Sequence, residues 1–277
     1  MFFVYVRVVG GLFLVSGSAL LSLLGRKVVV ELPIQAFLAI APLAILFAFF
    51  IVAAGDGFLL ETARGQVADF VKRLGFYRLR AKVVIADVSE AFDVLAAWGS
   101  APPAGEGFVF ADPRAASLGW RVIAPKGASA PGDMEPAYHA RRMRHGVPAI
   151  GRDFATNEVF PHEALFDIQN GVDFGKGCYV GQEVVSRMQH RGTARSRFLP
   201  IVAASELPPR GTEIRAGAAR VGTMAGHEGG VGLALVRLDR LAAAGQAPLA
   251  AGDVPASIAP ADVARVTPLK AAGSLQP

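Results

Sequence analysis

Two long stretches without a charge open this chain and restrict what it can become. VVGGLFLVSGSALLSLLG lies between Arg7 and Arg26, and LPIQAFLAIAPLAILFAFFIVAAG lies between Glu31 and Asp56. Each approaches the roughly 20 apolar residues that cross a bilayer, and Arg26-Lys27 would form a basic cytoplasmic turn between two spans. The competing reading buries both runs in a globular domain. Pro33 and Pro42 interrupt the second run, while Gly10, Gly11, Ser16, Gly17 and Ser18 make the first look like strand, turn and helix. ILFAFFIVAA, then Gly55-Asp56-Gly57 and FLLE, reads as a β-hairpin. The globular reading is preferred, and membrane insertion of residues 8–25 and 32–55 is the minor expectation. A signal peptide fits poorly, because no charged start and small-residue cleavage site frame one short apolar core.

The chain has 277 residues, enough for about two domains. It has one cysteine, so an intrachain disulfide, a four-thiolate metal site and a self-contained iron–sulfur cluster are excluded within one copy. A reduced, cytoplasmic protein is expected. The net charge of +5 admits an anionic ligand, a nucleic acid or an acidic partner without selecting among them.

Along the chain, ETARGQVADFVKRLGFYRLRAKV places Val67, Phe70, Val71 and Leu74 on one helical face, and Gly75 is expected to end the helix. A strand follows over Ala81 to Asp87. SEAFDVLAAWG suits strand or helix, and SAPPAGEG is a Pro/Gly break. FVFADPRAASLGWRVIAPKGA reads as two strands joined at Asp112-Pro113. AYHARRMRHG, residues 137–146, is a basic helix whose Arg141 and Arg144 or His145 share a face able to hold a phosphate or a polyglutamate tail, although a solvated face is the commoner origin of such a run. From Phe198 onward, short apolar stretches are cut by Gly and Pro, the pattern of a small β-barrel. The Ala/Pro-rich tail after about Ala251 is expected to be only partly ordered.

The chemistry concentrates in PHEALFDIQNGVDFGKGCYVGQEVVSRMQHRGTARSRF, residues 161–198. A helix is expected from near Gly181, because Val184, Val185 and Met188 keep helical spacing. Cys178 would then precede a helix N-terminus and sit two residues from Lys176, and both features favour thiolate. Glu183 in the first turn also suits the dipole. A buried inert thiol is the ordinary outcome for a lone cysteine, but the flanking glycines and lysine argue against an apolar niche. A catalytic nucleophile needs a base, and His190 lies too far along the same helix at about 1.5 Å per residue. A zinc ligand needs companions, and His162-Glu163 and His190 have no recognisable spacing. An exchange or transient ligand thiol needs only exposure and a lowered pKa.

KGCYVGQE, Lys176 to Glu183, with SRMQHRGTAR, Ser186 to Arg195, resembles the signature of the YgfZ family of folate-binding proteins. That family is similar in fold to the aminomethyltransferase, or T-protein, of the glycine cleavage system. The likeness continues through GRDF (151–154), PHEALFD (161–167), AAGDGFLLE and GLALVRLDR (232–240), over roughly residues 43–255. It implies an α+β, T-protein-like ring of three subdomains with a C-terminal small β-barrel. The expected division is a folate-binding region over 1–197, with an inner α+β subdomain at about 45–110, and a barrel domain over 198–277. It also implies a cytoplasmic accessory role in assembly or repair of iron–sulfur enzymes, including radical-SAM enzymes of tRNA modification, with Cys178 as functional thiol assisted by Lys176. Tyr179, Gln182, Glu183, Arg187 and Arg195 become candidate tetrahydrofolate contacts, with no resident metal. The partners implied are iron–sulfur client enzymes, assembly factors and folate, without direct nucleic-acid binding. Arg187, Arg191, Arg195 and Arg197 recur at four-residue steps and then two, and Arg187 and Arg191 could share a face toward phosphates, but no aromatic residues interleave with them. The sequence departs from the family at Ile40-Ala41-Pro42-Leu43-Ala44, where a polar segment like LTPQGK is usual.

The alternative is a tetrahydrofolate-dependent aminomethyl or one-carbon transferase. It would need a positioned acid or base, for which Asp153, Glu163 and Asp173 are available.

Overall fold

The computed structural model describes residues 2–8, 49–55, 57–99, 101–128, 134–174, 182–191 and 194–267. The first sheet contains β1 (Phe2–Val8), β2 (Phe49–Ala54), β3 (Gly57–Thr62) and β4 (Val83–Asp87), in the order β2-β3-β1-β4. All its pairings are antiparallel. The β2–β3 hairpin stands where the turn chemistry placed it, with Ala54 opposite Gly57 and Gly55 at φ 59°. Phe49–Ala54, the end of the second apolar run, is therefore strand and not the end of a membrane span. The rest of both runs, residues 9–48, lies outside the described residues. Among the described residues no helix is long and apolar enough to cross a membrane.

Strand β3 is apolar on both faces because both faces are covered. Leu60 packs with Val67, Phe70 and Leu74 of helix α1 (Val67–Arg78), whereas Leu59 packs with Ile123 of a second sheet. Alternation along the strand then puts Glu61 on the Leu59 side. The α1 face predicted from spacing is the buried one, but Gly75 does not end the helix. It continues one turn to Leu79, whose φ of 45° and ψ of −120° turn the chain out. A glycine inside a helix only weakens it, by about 1 kcal/mol, and neighbouring Phe70 and Leu74 are packed firmly enough to carry the element past it.

The second sheet contains β5 (Phe92–Ala97), β6 (Phe108–Ala111) and β7 (Trp120–Pro125), in the order β5-β7-β6. The ambiguous SEAFDVLAAWG segment resolves into a 3-10 turn, Ser89–Ala91, and then β5. Between β6 and β7 the chain makes a second 3-10 turn, Ala116–Leu118, and Gly119 at φ 81° follows. A Cβ there would stand 2.4 Å from the Ala97 carbonyl oxygen, so β5 and β7 meet closely only because this residue has none.

After helix α2 (Glu135–Arg144), residues 145–174 pack against the C-terminal barrel, and helix α3 (Gln182–Arg191) precedes its first strand. The barrel is closed in the order β10-β11-β8-β13-β12-β9: β8 (Ser196–Ala203), β9 (Glu213–Ala216), β10 (Ala219–Glu228), β11 (Val231–Arg237), β12 (Leu249–Ala251) and β13 (Val254–Ser257). Helix α4 (Leu238–Ala244) links β11 to β12, and α5 (Pro260–Val266) follows β13. Residues 254–257 and 260–266, in the tail expected to be only partly ordered, are a strand and a helix, and residues 268–277 lie outside the described residues. Strand β13 bridges β12 and β8 and completes the barrel, and Val266 buries its side chain in the core. Phe198, Leu199 and Ile201 are all buried because β8 faces the barrel interior on one side and Met143, Phe154 and Leu165 lie in the same core.

Candidate functional site

Three buried polar clusters stand out among the described residues. The first lies between the two sheets. Arg121 on β7 and Glu61 on β3 are almost wholly buried and paired, with Arg121 Nε 3.3 Å from Glu61 Oε2. Asp112 accepts from Arg114 Nε at 2.9 Å and from Nη2 at 2.7 Å, and it lies 3.5 Å from Arg121. Tyr138 Oη on α2 accepts from both guanidiniums, at 2.8 Å and 3.4 Å. Both cations also stand over the Phe50 ring, at 5.0 Å and 4.3 Å. Burial opposes ionisation of Asp112, but the Arg114 hydrogen bond and the two cations outweigh it and hold its pKa below the usual carboxylate value.

The second cluster joins α2 to the barrel. Arg142 pairs with Asp153 and donates to the Val147 carbonyl at 3.1 Å and to His139 Nδ1 at 2.8 Å. Asp153 also accepts from the Ala149 amide at 2.7 Å. Since Nδ1 of His139 accepts, its proton sits on Nε2 and points to Glu135 Oε1, 3.2 Å away. Burial, reinforced by the Arg142 and Arg152 charges, lowers the His139 pKa. Two arginines of the basic helix are thus engaged within the fold, while Arg144 is exposed. Arg142 is buried, and Arg141 donates to the Ser117 carbonyl at 3.0 Å and stands over Trp98.

The third cluster supports the motif helix. His162 is 1% exposed, and its Nε2 lies 3.1 Å from Gln189 Oε1 on α3. An amide oxygen only accepts, so the imidazole proton is on Nε2 and Nδ1 presents a bare lone pair. Among the described residues Nδ1 has no partner. Arg197 grips Asp167 with two bonds of 2.7 Å and 2.9 Å and also donates to the His162 carbonyl, which locks PHEALFD under α3. Phe174 lies beside His162, with ring centroids 6.1 Å apart and the planes tilted by 51°. Burial pushes the Glu163 carboxyl above the ordinary range, against a 2.9 Å bond from the Phe160 amide.

Helix α3 opens at Gln182, as the residue pattern predicts. Lys176, Cys178 and Tyr179 lie outside the described residues. Glu183 and Arg187 form an ion pair at i,i+4 on the outer face of α3, with side chains 81% and 54% exposed. Arg195 is exposed beyond the helix, and its carbonyl accepts from the Leu238 amide at 2.8 Å. These three predicted folate contacts are therefore not gathered in one buried place. Of the acid–base candidates, Asp153 is held by Arg142, Asp173 is exposed, and burial raises the pKa of Glu163. Sequence reasoning considered His162 only as a zinc ligand, and among the described residues no group of side chains could hold a metal ion. It missed Glu61, Arg121 and Asp167, and placed Arg197 only in an arginine series able to face phosphates, although PHEALFD carried a usable signal in its adjacent histidine and acids.

Two antiparallel sheets followed by a closed six-stranded barrel define a T-protein-like α+β fold. The fold of the glycine cleavage system aminomethyltransferase T from Bartonella henselae superposes with a TM-score of 0.57 over 95% of this chain and 83% of that one, at 12% identity. Residues 195–274 match the C-terminal beta-barrel domain of CAF17. Homologues include the human mitochondrial iron–sulfur cluster assembly factor IBA57, 32% identical over 67% of this chain and 58% of that protein. The IBA57 homologue of Pyricularia oryzae is 36% identical over 53% of this chain and 41% of its own length. The matched stretch thus spans about half the length of these relatives. Both are mitochondrial by name, which overturns the expectation of a cytoplasmic protein.

Proposed function

We propose that this chain assists the assembly of iron–sulfur proteins, with Cys178 as its working thiol. The likeness to human IBA57 over 211 residues carries the reading. The chemistry of the motif supports it. A single cysteine cannot hold a cluster, but it can supply one ligand to a cluster shared with a partner, or exchange with one. Thiolate is favoured by Lys176 and by the start of α3 four residues further on. The His162–Gln189 bond ties the far end of α3 to the PHEALFD coil, which the Arg197–Asp167 pair fixes to β8 of the barrel.

The finer reading follows the YgfZ resemblance: radical-SAM enzymes of tRNA modification as clients, and tetrahydrofolate as ligand. The decisive experiment is rescue of a strain lacking its own YgfZ-type protein, with the parent chain and Cys178→Ala compared through a radical-SAM tRNA modification. Rescue by the parent alone supports the thiol's role. Equal rescue by both removes it, and rescue by neither, with both folded, removes the assembly reading. Tetrahydrofolate is tested separately by titration, and a Kd above about 1 mM would exclude it as a physiological ligand.

A further inference from the structure

The C-terminal end of α1 presents Phe76 and Leu79 to solvent, 67% and 80% exposed. Leu79 holds φ 45° and ψ −120°, a conformation suited to glycine, so an apolar side chain is displayed at a conformational cost. Strain kept at an exposed apolar residue points to a use for the side chain. Around it the charge has one sign. Between Asp69 and Asp87 stand Lys72, Arg73, Arg78, Arg80 and Lys82, and no carboxylate. Arg78, Arg80 and Lys82 are exposed, and none of them makes an ion pair among the described residues. Val84, on the edge strand β4, adds a half-exposed apolar side chain beside them.

The strand register places a second feature here. Val8, the last residue of β1, pairs with Val83, one residue beyond Lys82. The 40 residues that leave from that point, 9–48, contain only Arg26, Lys27 and Glu31 as charges. A protruding Phe–Leu pair ringed by cations without an ion-pair partner among the described residues, at the exit of a long apolar segment, matches the chemistry of an anionic bilayer surface. The apolar side chains enter the acyl boundary and the cations meet lipid phosphates. Single-stranded nucleic acid is a poorer match, since of the exposed pair only Phe76 offers a stacking face and Leu79 offers none.

We infer that the end of α1 and the β4 edge form a peripheral docking site for a bilayer rich in anionic lipid. The inference is independent of the iron–sulfur reading. Its test is flotation of the full chain with phosphatidylcholine vesicles, with and without phosphatidylglycerol. Three proteins are compared: the parent, Phe76→Ser/Leu79→Ser, and Arg78→Ser/Arg80→Ser/Lys82→Ser. Circular dichroism confirms that each is folded, and because every altered side chain is exposed the fold should survive. The parent should float only with phosphatidylglycerol, and each variant should lose at least about tenfold in partitioning. Three outcomes overturn the inference: no flotation of the parent, equal flotation on neutral vesicles, or variants that float like the parent. Loss of single-stranded RNA retention by the variants, with vesicle binding unchanged, would reassign the patch to nucleic acid and overturn it equally.

Discussion

Arg121 shows how much one buried residue can control. Its guanidinium neutralises Glu61 in a place where neither side chain meets water, and it also touches Asp112, Tyr138 and Phe50. Arg121→Met leaves Glu61 buried without its charge partner and should destabilise the fold by about 3–5 kcal/mol, read as a shifted urea midpoint. Arg121→Met combined with Glu61→Leu should recover much of that loss, because an apolar pair needs no desolvated charge. The histidines give a pH prediction. Burial, the largest cause, lowers the pKa of His139, His145 and His162 in the folded state. The unfolded chain then takes up protons first as pH falls, so the stability these residues contribute is complete above their ordinary value of 6.5 and declines below it. Unfolding free energy should fall between neutral and mildly acidic pH, and His162→Gln should flatten that dependence. None of these partners was legible in the sequence. Arg121 and Glu61 are 60 residues apart, and Arg197 and Asp167 are 30 apart.

At the scale of elements, local pattern read well wherever periodicity and turn chemistry agreed. The α1 face, the β2–β3 hairpin and the start of α3 were all legible. The failures came where tertiary packing overrode a local signal. Gly75 remains helical, and the described part of the Ala/Pro-rich tail forms β13, to which β8 and β12 offer hydrogen bonds on both sides, and then α5. Leu79→Gly relieves the positive φ and should raise stability by about 1 kcal/mol in thermal or urea unfolding. An unchanged or lower midpoint would show that Leu79 is not strained. Gly226 behaves in the opposite way. A Cβ there would come 2.6 Å from Asp153 Oδ1, so Gly226→Ala should push on the Arg142–Asp153 pair and cost roughly 1–3 kcal/mol.

Across the whole molecule, a few long-range polar ties join what the sequence presents as separate pieces. Gln66 Nε2 donates to Thr156 Oγ1 at 3.0 Å, Asn170 Nδ2 donates to the Pro113 carbonyl at 2.7 Å, and Asp153 sits against the barrel at Gly226. The chain's two tryptophans, Trp98 and Trp120, lie at the second sheet, while circular dichroism sees every element. Urea transitions followed by the two probes should coincide in the parent and separate in Arg142→Met. Separate transitions in the parent would mean that the barrel and the sheets unfold independently.

The α+β class, the hairpin, the helix behind KGCYVGQE and the closing barrel were determined by sequence alone. Each depends on spacing between near neighbours, where apolar side chains, turn residues and backbone geometry act within a few positions. Only the tertiary structure decided which arginine meets which carboxylate, that the basic helix turns inward to Asp153, and that His162 underpins α3. Buried charges must be neutralised by whatever the fold brings within hydrogen-bond reach, and that proximity is a property of the packed chain.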